Sequence, residues 1–388
     1  MDLRSLTEKF KSLRTPFYYY DTRILQQTLD VIHHATETMP YAHVHYAVKA
    51  NANPKILQQI AAAGLGADCV SGGEIQAAME AGFPTSKIVY AGVGKSDWEI
   101  NLGIDNDIAA FNVESIPELE IISELATKKN KTARVAFRIN PNVDAHTHAK
   151  ITTGLNENKF GIAMEDMLQA VKLANELPGI SYTGLHFHIG SQILELDAFK
   201  DLCLRINELQ DTLEEAGIVT PCINVGGGLG IDYNNPIAHP ITKFETYFQI
   251  FRENLKLRKG QELHFELGRS VVAQCGTLMA STLYVKKGHH KQFIIVDAGF
   301  TELVRPAMYG SHHYTENISA APHAPIEKYD VVGPICESTD VFSQNEKLPL
   351  TSRGDLIAFR SAGAYGEVMA STYNCRTLPP SYTDKDFQ

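Results

Sequence analysis

The hydrophobic pattern of the chain repeats through its first two thirds. Short alternating or continuous apolar runs at residues 43–50, 66–70, 87–92, 108–113, 133–139, 182–189, 222–226 and 262–267 predict strands. Stretches of helical period fall between them, at 54–63, 73–81, 96–103, 116–129, 165–177, 197–216 and 242–256. Eight strands alternating with helices predict an α/β fold, a parallel (β/α)8 TIM-like barrel over residues 22–270. An open doubly wound sheet is the competing architecture, and the count of eight favours closure. From residue 271 the pattern changes. Residues 277–287 and 292–297 read as a hairpin around Gly288, and 329–332 and 355–359 as further strands, with Gly, Pro and Asn between them. This predicts a mostly β second domain over 271–388. Upstream, 4–14 has the pattern of a short amphipathic helix, stopped by Thr15-Pro16. A β-prone run follows at 17–20, and Asp21 is placed to cap a helix over 22–38.

Composition adds exclusions. The 388 residues carry 35 Lys and Arg against 45 Asp and Glu, a net charge of −10, with no basic stripe to suit nucleic acid. No apolar run reaches the length of a membrane span. Residues 1–14 are polar and of mixed charge, unlike a secretory signal. Cys69, Cys203, Cys222, Cys275, Cys336 and Cys375 are scattered with no C-x-x-C pair, which points to reduced thiols in a cytoplasm rather than to disulfides or a zinc framework.

Barrel enzymes place their chemistry at the C-terminal ends of the strands. Here the first strand ends in Tyr46-Ala47-Val48-Lys49-Ala50-Asn51, with Lys49 in register with His43, His45 and Ala47. A lysine at the end of a buried strand either snorkels to solvent or is a desolvated nucleophile suited to Schiff-base formation. Asp68 leads into Ser71-Gly72-Gly73, Arg138 ends the fifth strand, and the sixth ends His186-Phe187-His188-Ile189-Gly190-Ser191. The seventh ends in Gly226-Gly227-Gly228, where backbone N–H groups can approach an anion. The eighth ends Glu266-Leu267-Gly268-Arg269. The H-x-H of His186 and His188 also suits a zinc hydrolase, although the other strand ends offer few further histidines. A Schiff-base lysine, a phosphate cradle and a carboxylate for a ring nitrogen together specify pyridoxal 5′-phosphate.

Y-A-V-K-A-N, H-F-H-I-G-S-Q, G-G-G-L-G-I-D-Y, E-L-G-R, G-P-I-C-E-S and A-G-A-Y-G occur in this order, and with them the chain resembles the barrel-type pyridoxal-phosphate decarboxylases from Thr15 to about Arg376. The resemblance implies that Lys49 bonds the cofactor and His188 stacks on its ring. It implies that Asp68, Arg138 and Gly268 surround the cofactor, and that Ser191, Gly226, Gly227, Gly228 and Arg269 hold its phosphate. Glu266 would pair with the pyridine nitrogen, Cys336 would return a proton to the carbanion, and Tyr365 would touch cofactor and substrate. It also implies a homodimer with shared sites, Cys336 and Glu337 reaching across, and residues 15–21 folded into the β domain.

Within the family the chain is most similar to the enzymes that decarboxylate meso-2,6-diaminopimelate to L-lysine in bacterial lysine synthesis. That substrate ends in both an ammonium and a carboxylate. Arg305 and Tyr309 match a carboxylate grip and Glu337 an ammonium contact, alongside Arg269 and Tyr365. Ornithine, arginine or carboxynorspermidine remain the competing substrates. A cofactor-binding regulator is the competing class, though it would usually lose Lys49 or Cys336. The polar tail 377–388 departs from the longer β ending of relatives, which leaves the last strand open.

Overall fold

A computed structural model describes residues 2–143 and 159–387. They form two compact units. One holds Leu29–Gly230 and Lys243–Gly268; the other holds the residues up to Thr28, Ile231–Thr242 and everything from Arg269.

The first unit is the barrel. Strands β2 (Ala42–Ala47), β3 (Gly66–Cys69), β4 (Ile88–Tyr90), β5 (Ala110–Val113), β6 (Ala133–Arg138), β7 (Ile180–His186), β8 (Cys222–Asn224) and β9 (Glu262–Leu267) pair in parallel and in sequence order. β9 pairs back onto β2, with His43 opposite His264 and His45 opposite Glu266, and so closes the ring. The loops after the strands end in helix caps. Asn53 caps Pro54–Ala62, Ser71 caps Gly72–Glu80 and Ser115 caps Ile116–Lys128, while Ser96 and Glu99 form a capping box on Asp97–Asp105. The last helix, Phe244–Asn254, lays Tyr247, Phe248 and Phe251 edge-on against Phe265 of β9.

The second unit is built on β. Its sheet runs β12 (Thr315–Asn317), β15 (Leu356–Phe359), β10 (Gly276–Lys287), β11 (Gln292–Val296), β13 (Ile326–Val332) and β14 (Val341–Pro349). β1 (Phe17–Tyr20) pairs antiparallel with β10 and parallel with β16 (Ser381–Thr383). Leu3, Phe10, Phe17, Tyr19, Met279 and Leu356 share one buried cluster.

Three details differ from the sequence reading. β2 stops at Ala47, and Lys49 lies in a 3-10 turn, Val48–Ala50, so it leaves the alternation that placed it on a face with His43 and His45. Its side chain is 40% exposed rather than buried. The amphipathic stretch 4–14 is a 3-10 turn, Leu3–Leu6, followed by a short helix, Thr7–Lys11. The tail does end in a strand, since Ser381–Thr383 adds to the edge offered by β1.

Candidate active site

Two groups of side chains carry the chemistry, one in each unit. In the barrel, the residues singled out from sequence gather at the C-terminal ends of the strands. Lys49 follows β2, Asp68 lies in β3, Arg138 ends β6, His188 and Ser191 follow β7, Gly226–Gly228 follow β8, Glu266 lies in β9 and Gly268 follows it.

Glu266 is buried and fully engaged. Its Oε1 accepts from Asn112 Nδ2 at 2.9 Å and Asn224 Nδ2 at 2.7 Å, and its Oε2 from His186 Nε2 at 2.9 Å. Burial pushes this carboxyl up, but the His186 imidazole and its hydrogen bond, with Lys49 and His45, outweigh burial and hold the pKa well below the usual carboxylate range. A carboxylate has about four lone-pair directions and three are used, so one remains on Oε2 for a further donor. Asp68 shows the opposite behaviour. It is 1% exposed, neither oxygen has a hydrogen-bond partner among the described residues, and Lys49 Nζ stands 3.8 Å away. Burial, then the charge of Glu266, raise its pKa well above the ordinary value against the pull of Lys49. Two nearby carboxyls pushed apart in this way mark a working site.

Glu266 gives a pH-dependent stability with a definite sign. Its folded pKa lies below its unfolded one, so its contribution is complete above the unfolded value of about 4.3 and drains away as the pH falls from there down through the folded value. Glu266→Gln is expected to lower the Tm at neutral pH by roughly 2–7 °C, the loss of one or two charge-assisted bonds. Thermal denaturation followed by circular dichroism should show the gap to the parent shrinking below about pH 5. A gap constant with pH would deny the carboxylate this role.

Arg138 donates to Glu114 Oε1 at 3.2 Å and lies over the Phe160 ring. Glu114 also accepts from the Gly92 and Gly161 N–H groups, so it ties three loops together. The glycines after β8 are required by close approach. A Cβ on Gly226 would stand 2.1 Å from the Phe187 carbonyl oxygen, and one on Gly227 would stand 1.9 Å from that of Glu266. Gly226 N–H is spent on Asn224 Oδ1 and Gly227 N–H on His188 Nδ1. His188 therefore keeps Nδ1 as an acceptor. Burial, Arg138 and Lys49 lower its pKa well below the ordinary value.

In the second unit, Arg269 donates to Tyr233 Oη at 2.7 Å and its guanidinium lies 4.8 Å from the Tyr365 ring centre. Arg305 stacks 4.5 Å over the Tyr233 ring, donates to His313 Nε2 at 2.7 Å, and begins the short helix Arg305–Tyr309. Burial, then Arg305, lower the His313 pKa to about 3, so His313 is a neutral acceptor held by the Arg360 carbonyl. Both buried guanidiniums flank the Tyr233 ring, Arg269 at 6.0 Å and Arg305 at 4.5 Å from its centre, which concentrates positive charge at this spot. Tyr365 sits in the left-handed region, at φ 56°, which aims its ring at this cluster. Cys336 and Glu337 stand apart from the arginines on an exposed turn. Asn374 Oδ1 accepts from the Cys336 N–H, and Tyr373 Oη donates to Glu337.

Sequence reasoning missed Asn112, Asn224, Glu114, Tyr233 and His313, and gave His186 no part beyond the H-x-H pair. The available signal was a polar residue inside an otherwise apolar strand, Asn112 in A-F-N-V and Asn224 in C-I-N. Among the described residues, His186 and His188 form no metal cluster; the one such group is His43, Glu262 and His264.

The barrel fits pyridoxal phosphate on its own terms. It has a partly exposed lysine, an ionised carboxylate with one acceptor direction left, an orphaned buried carboxyl and a glycine loop packed on backbone. Residues 25–273 match the model of the pyridoxal-dependent decarboxylase, pyridoxal binding domain. The class is therefore that of the pyridoxal-dependent decarboxylases. The chain is 60% identical to diaminopimelate decarboxylase of Bacteroides thetaiotaomicron over 98% of both chains. It superposes on the crystal structure of diaminopimelate decarboxylase from Helicobacter pylori complexed with L-lysine with a TM-score of 0.91 at 38% identity, covering 98% and 94% of the two chains. Lysine/ornithine decarboxylase from Vibrio vulnificus shares the fold, with a TM-score of 0.83 at 21% identity. The chain belongs to the diaminopimelate decarboxylase family.

Proposed function

We propose that this chain catalyses the pyridoxal 5′-phosphate-dependent decarboxylation of meso-2,6-diaminopimelate to L-lysine and carbon dioxide, the last step of lysine synthesis. The observation that carries this reading is Glu266, bonded by Asn112, Asn224 and His186 and held ionised by His186, with an acceptor direction left for a protonated ring nitrogen. The cofactor, when bound, supplies an electron-accepting ring that stabilises the charge left at Cα. Lys49 anchors it through its amine, and Asp68, Arg138, His188 and Gly268 surround it. Ser191, Gly228 and Arg269 would take its phosphate, with Gly226 and Gly227, whose N–H groups are engaged by Asn224 and His188, giving the loop the close backbone packing that shapes the cradle. Arg305 and Tyr309 bind the distal carboxylate, Glu337 the distal ammonium, and Tyr365 positions the substrate. Cys336 gives a proton to Cα once carbon dioxide has left.

The same reading includes a homodimer in which Cys336 and Glu337 of each copy serve the barrel of the other. Their exposure in a single chain supports this. A cytoplasmic location is supported by six free cysteines. No helix among the described residues is long and apolar enough to cross a membrane.

The test is release of carbon dioxide and L-lysine from meso-diaminopimelate, with ornithine, arginine and carboxynorspermidine as competitors. Activity on one of these in place of diaminopimelate would overturn the reading. Arg305→Met is expected to lower kcat/KM for diaminopimelate by about 10²–10³-fold, the scale of removing one partner of a buried charge pair. Unchanged kinetics in that variant would remove Arg305 from substrate recognition.

A further inference from the structure

At the N-terminal ends of the barrel strands, far along β2 and β9 from Lys49 and Glu266, lies a second set of polar side chains that the decarboxylation does not use. His43 on β2 faces His264 on β9 in direct register, and Glu262 precedes His264 by two residues on the same side of its strand. Glu262 Oε2 is 3.3 Å from His264 Nε2 and its Oε1 is 3.8 Å from His43 Nε2. The three ligand atoms lie within 4.8 Å of one another. They border a cavity of about 450 Å³ lined also by Thr36, Ser86 and Lys87, which gives access from solvent.

The hydrogen bonds behind this set fix its protonation. His45 Nδ1 faces the Lys87 carbonyl oxygen at 3.1 Å, and a carbonyl can only accept, so Nδ1 carries the proton. His45 is 3% exposed and has no carboxylate bonded to it among the described residues, so its imidazole is neutral and Nε2 is an acceptor. His264 Nδ1, 2.9 Å from that Nε2, must then be the donor. This leaves a lone pair on His264 Nε2 pointing at a carboxylate oxygen 3.3 Å away. The positive centre between those two atoms is either a proton on Nε2 or a metal ion. With His43 on the other side of Glu262, three ligand atoms converge where one proton could serve only two.

We propose that His43, Glu262 and His264 bind a divalent transition-metal ion such as Zn²⁺, with His45 as the positioning residue that holds His264 in its ligating tautomer. Two imidazoles and one carboxylate suit such ions and leave positions open to water. Zinc–nitrogen bonds of about 2.0–2.1 Å require the widest separation to close by roughly 1.5 Å, within reach of the exposed His43 and Glu262 side chains. The ion would join the first strand of the barrel to the last, pinning the seam at which the ring closes.

The experiment uses full-length holoenzyme freed of metal with a chelator. Calorimetric titration with ZnCl₂ is expected to show one ion per chain. Co²⁺ is expected to give visible d–d bands without the thiolate charge transfer that Cys336 or Cys375 would add. Zn²⁺ at a hundredfold excess over its Kd should raise the Tm by about 3 °C. His43→Ala and Glu262→Gln, whose metal-free Tm should match the parent, are each expected to weaken binding by at least about tenfold. His289→Ala/His290→Ala, which removes an exposed histidine pair elsewhere, should leave it unchanged. Absence of binding, binding indifferent to His43 and Glu262, or binding lost only with His289 and His290 would each overturn the proposal.

Discussion

Replacing Lys49 with alanine is expected to give a folded, colourless protein without measurable decarboxylase activity. The fall should exceed the 10²–10⁴-fold that a positioned acid or base contributes, because the anchor for the cofactor is removed along with a charge. Folding should survive. Lys49 is 40% exposed in a turn whose neighbours Val48 and Ala50 are buried, and substitutions at such positions shift stability by about 0.5 kcal/mol or less. The structure also says why Lys95 should not take over. Lys95, which follows β4, is 1% exposed, and its ammonium donates to the Gly92 and Asn112 carbonyls and to Glu118 at 2.6–2.8 Å, so its three protons are consumed. Lys49→Arg separates charge from chemistry: it keeps a cation near Asp68 yet cannot form the bond. Both variants should lack visible absorbance after incubation with pyridoxal phosphate. Retained colour in Lys49→Ala would move the anchor elsewhere and with it the roles given to Asp68 and Glu266.

The eight barrel strands were legible because short β-prone runs alternate with stretches of helical period, four of them opening on helix caps. The turn at Lys49 was not, because Val48 and Ala50 continue the apolar alternation of β2 while the backbone curls into a 3-10 turn. β14 escaped because V-F-S-Q-N-E-K-L-P carries polar residues on its exposed face and in its middle. Ile231–Thr242 clusters with the β unit through contacts that no local pattern encodes. The same holds for the partners of the site residues. Glu266 could be singled out from its motif, but the two asparagines and the histidine that bond it come from β5, β8 and β7, brought to it only by closure of the ring. Tertiary hydrogen bonds of this kind set the pKa, and a linear reading sees only their separate ends.

Cys336→Ala is expected to leave the colour and the fold intact and to lower kcat by about 10²–10⁴-fold, the contribution of one positioned proton donor. The turn that presents the thiol is anchored without it. Asp340 accepts from the Ile335 and Phe300 N–H groups, and a Cβ on Gly333 would meet the Asp340 carboxylate at 2.2 Å, so the loop keeps its shape when the sulfur is removed. Cys336 itself is exposed in the single chain, an odd situation for a group that must deliver one proton to one carbon out of reach of bulk water. The proposed homodimer resolves it, and mixing tests the point directly. Lys49→Ala is expected to be inactive alone and Cys336→Ala nearly so. If the thiol of one chain serves the barrel of the other, every mixed dimer contains one intact site, and random exchange of equal amounts should restore about a quarter of the parent activity. If thiol and lysine of the same chain work together, every site in the mixture lacks one of them, and no activity returns. Dimer formation measured by sedimentation on the same mixture ensures that a silent result reports the arrangement of the site rather than a failure to exchange.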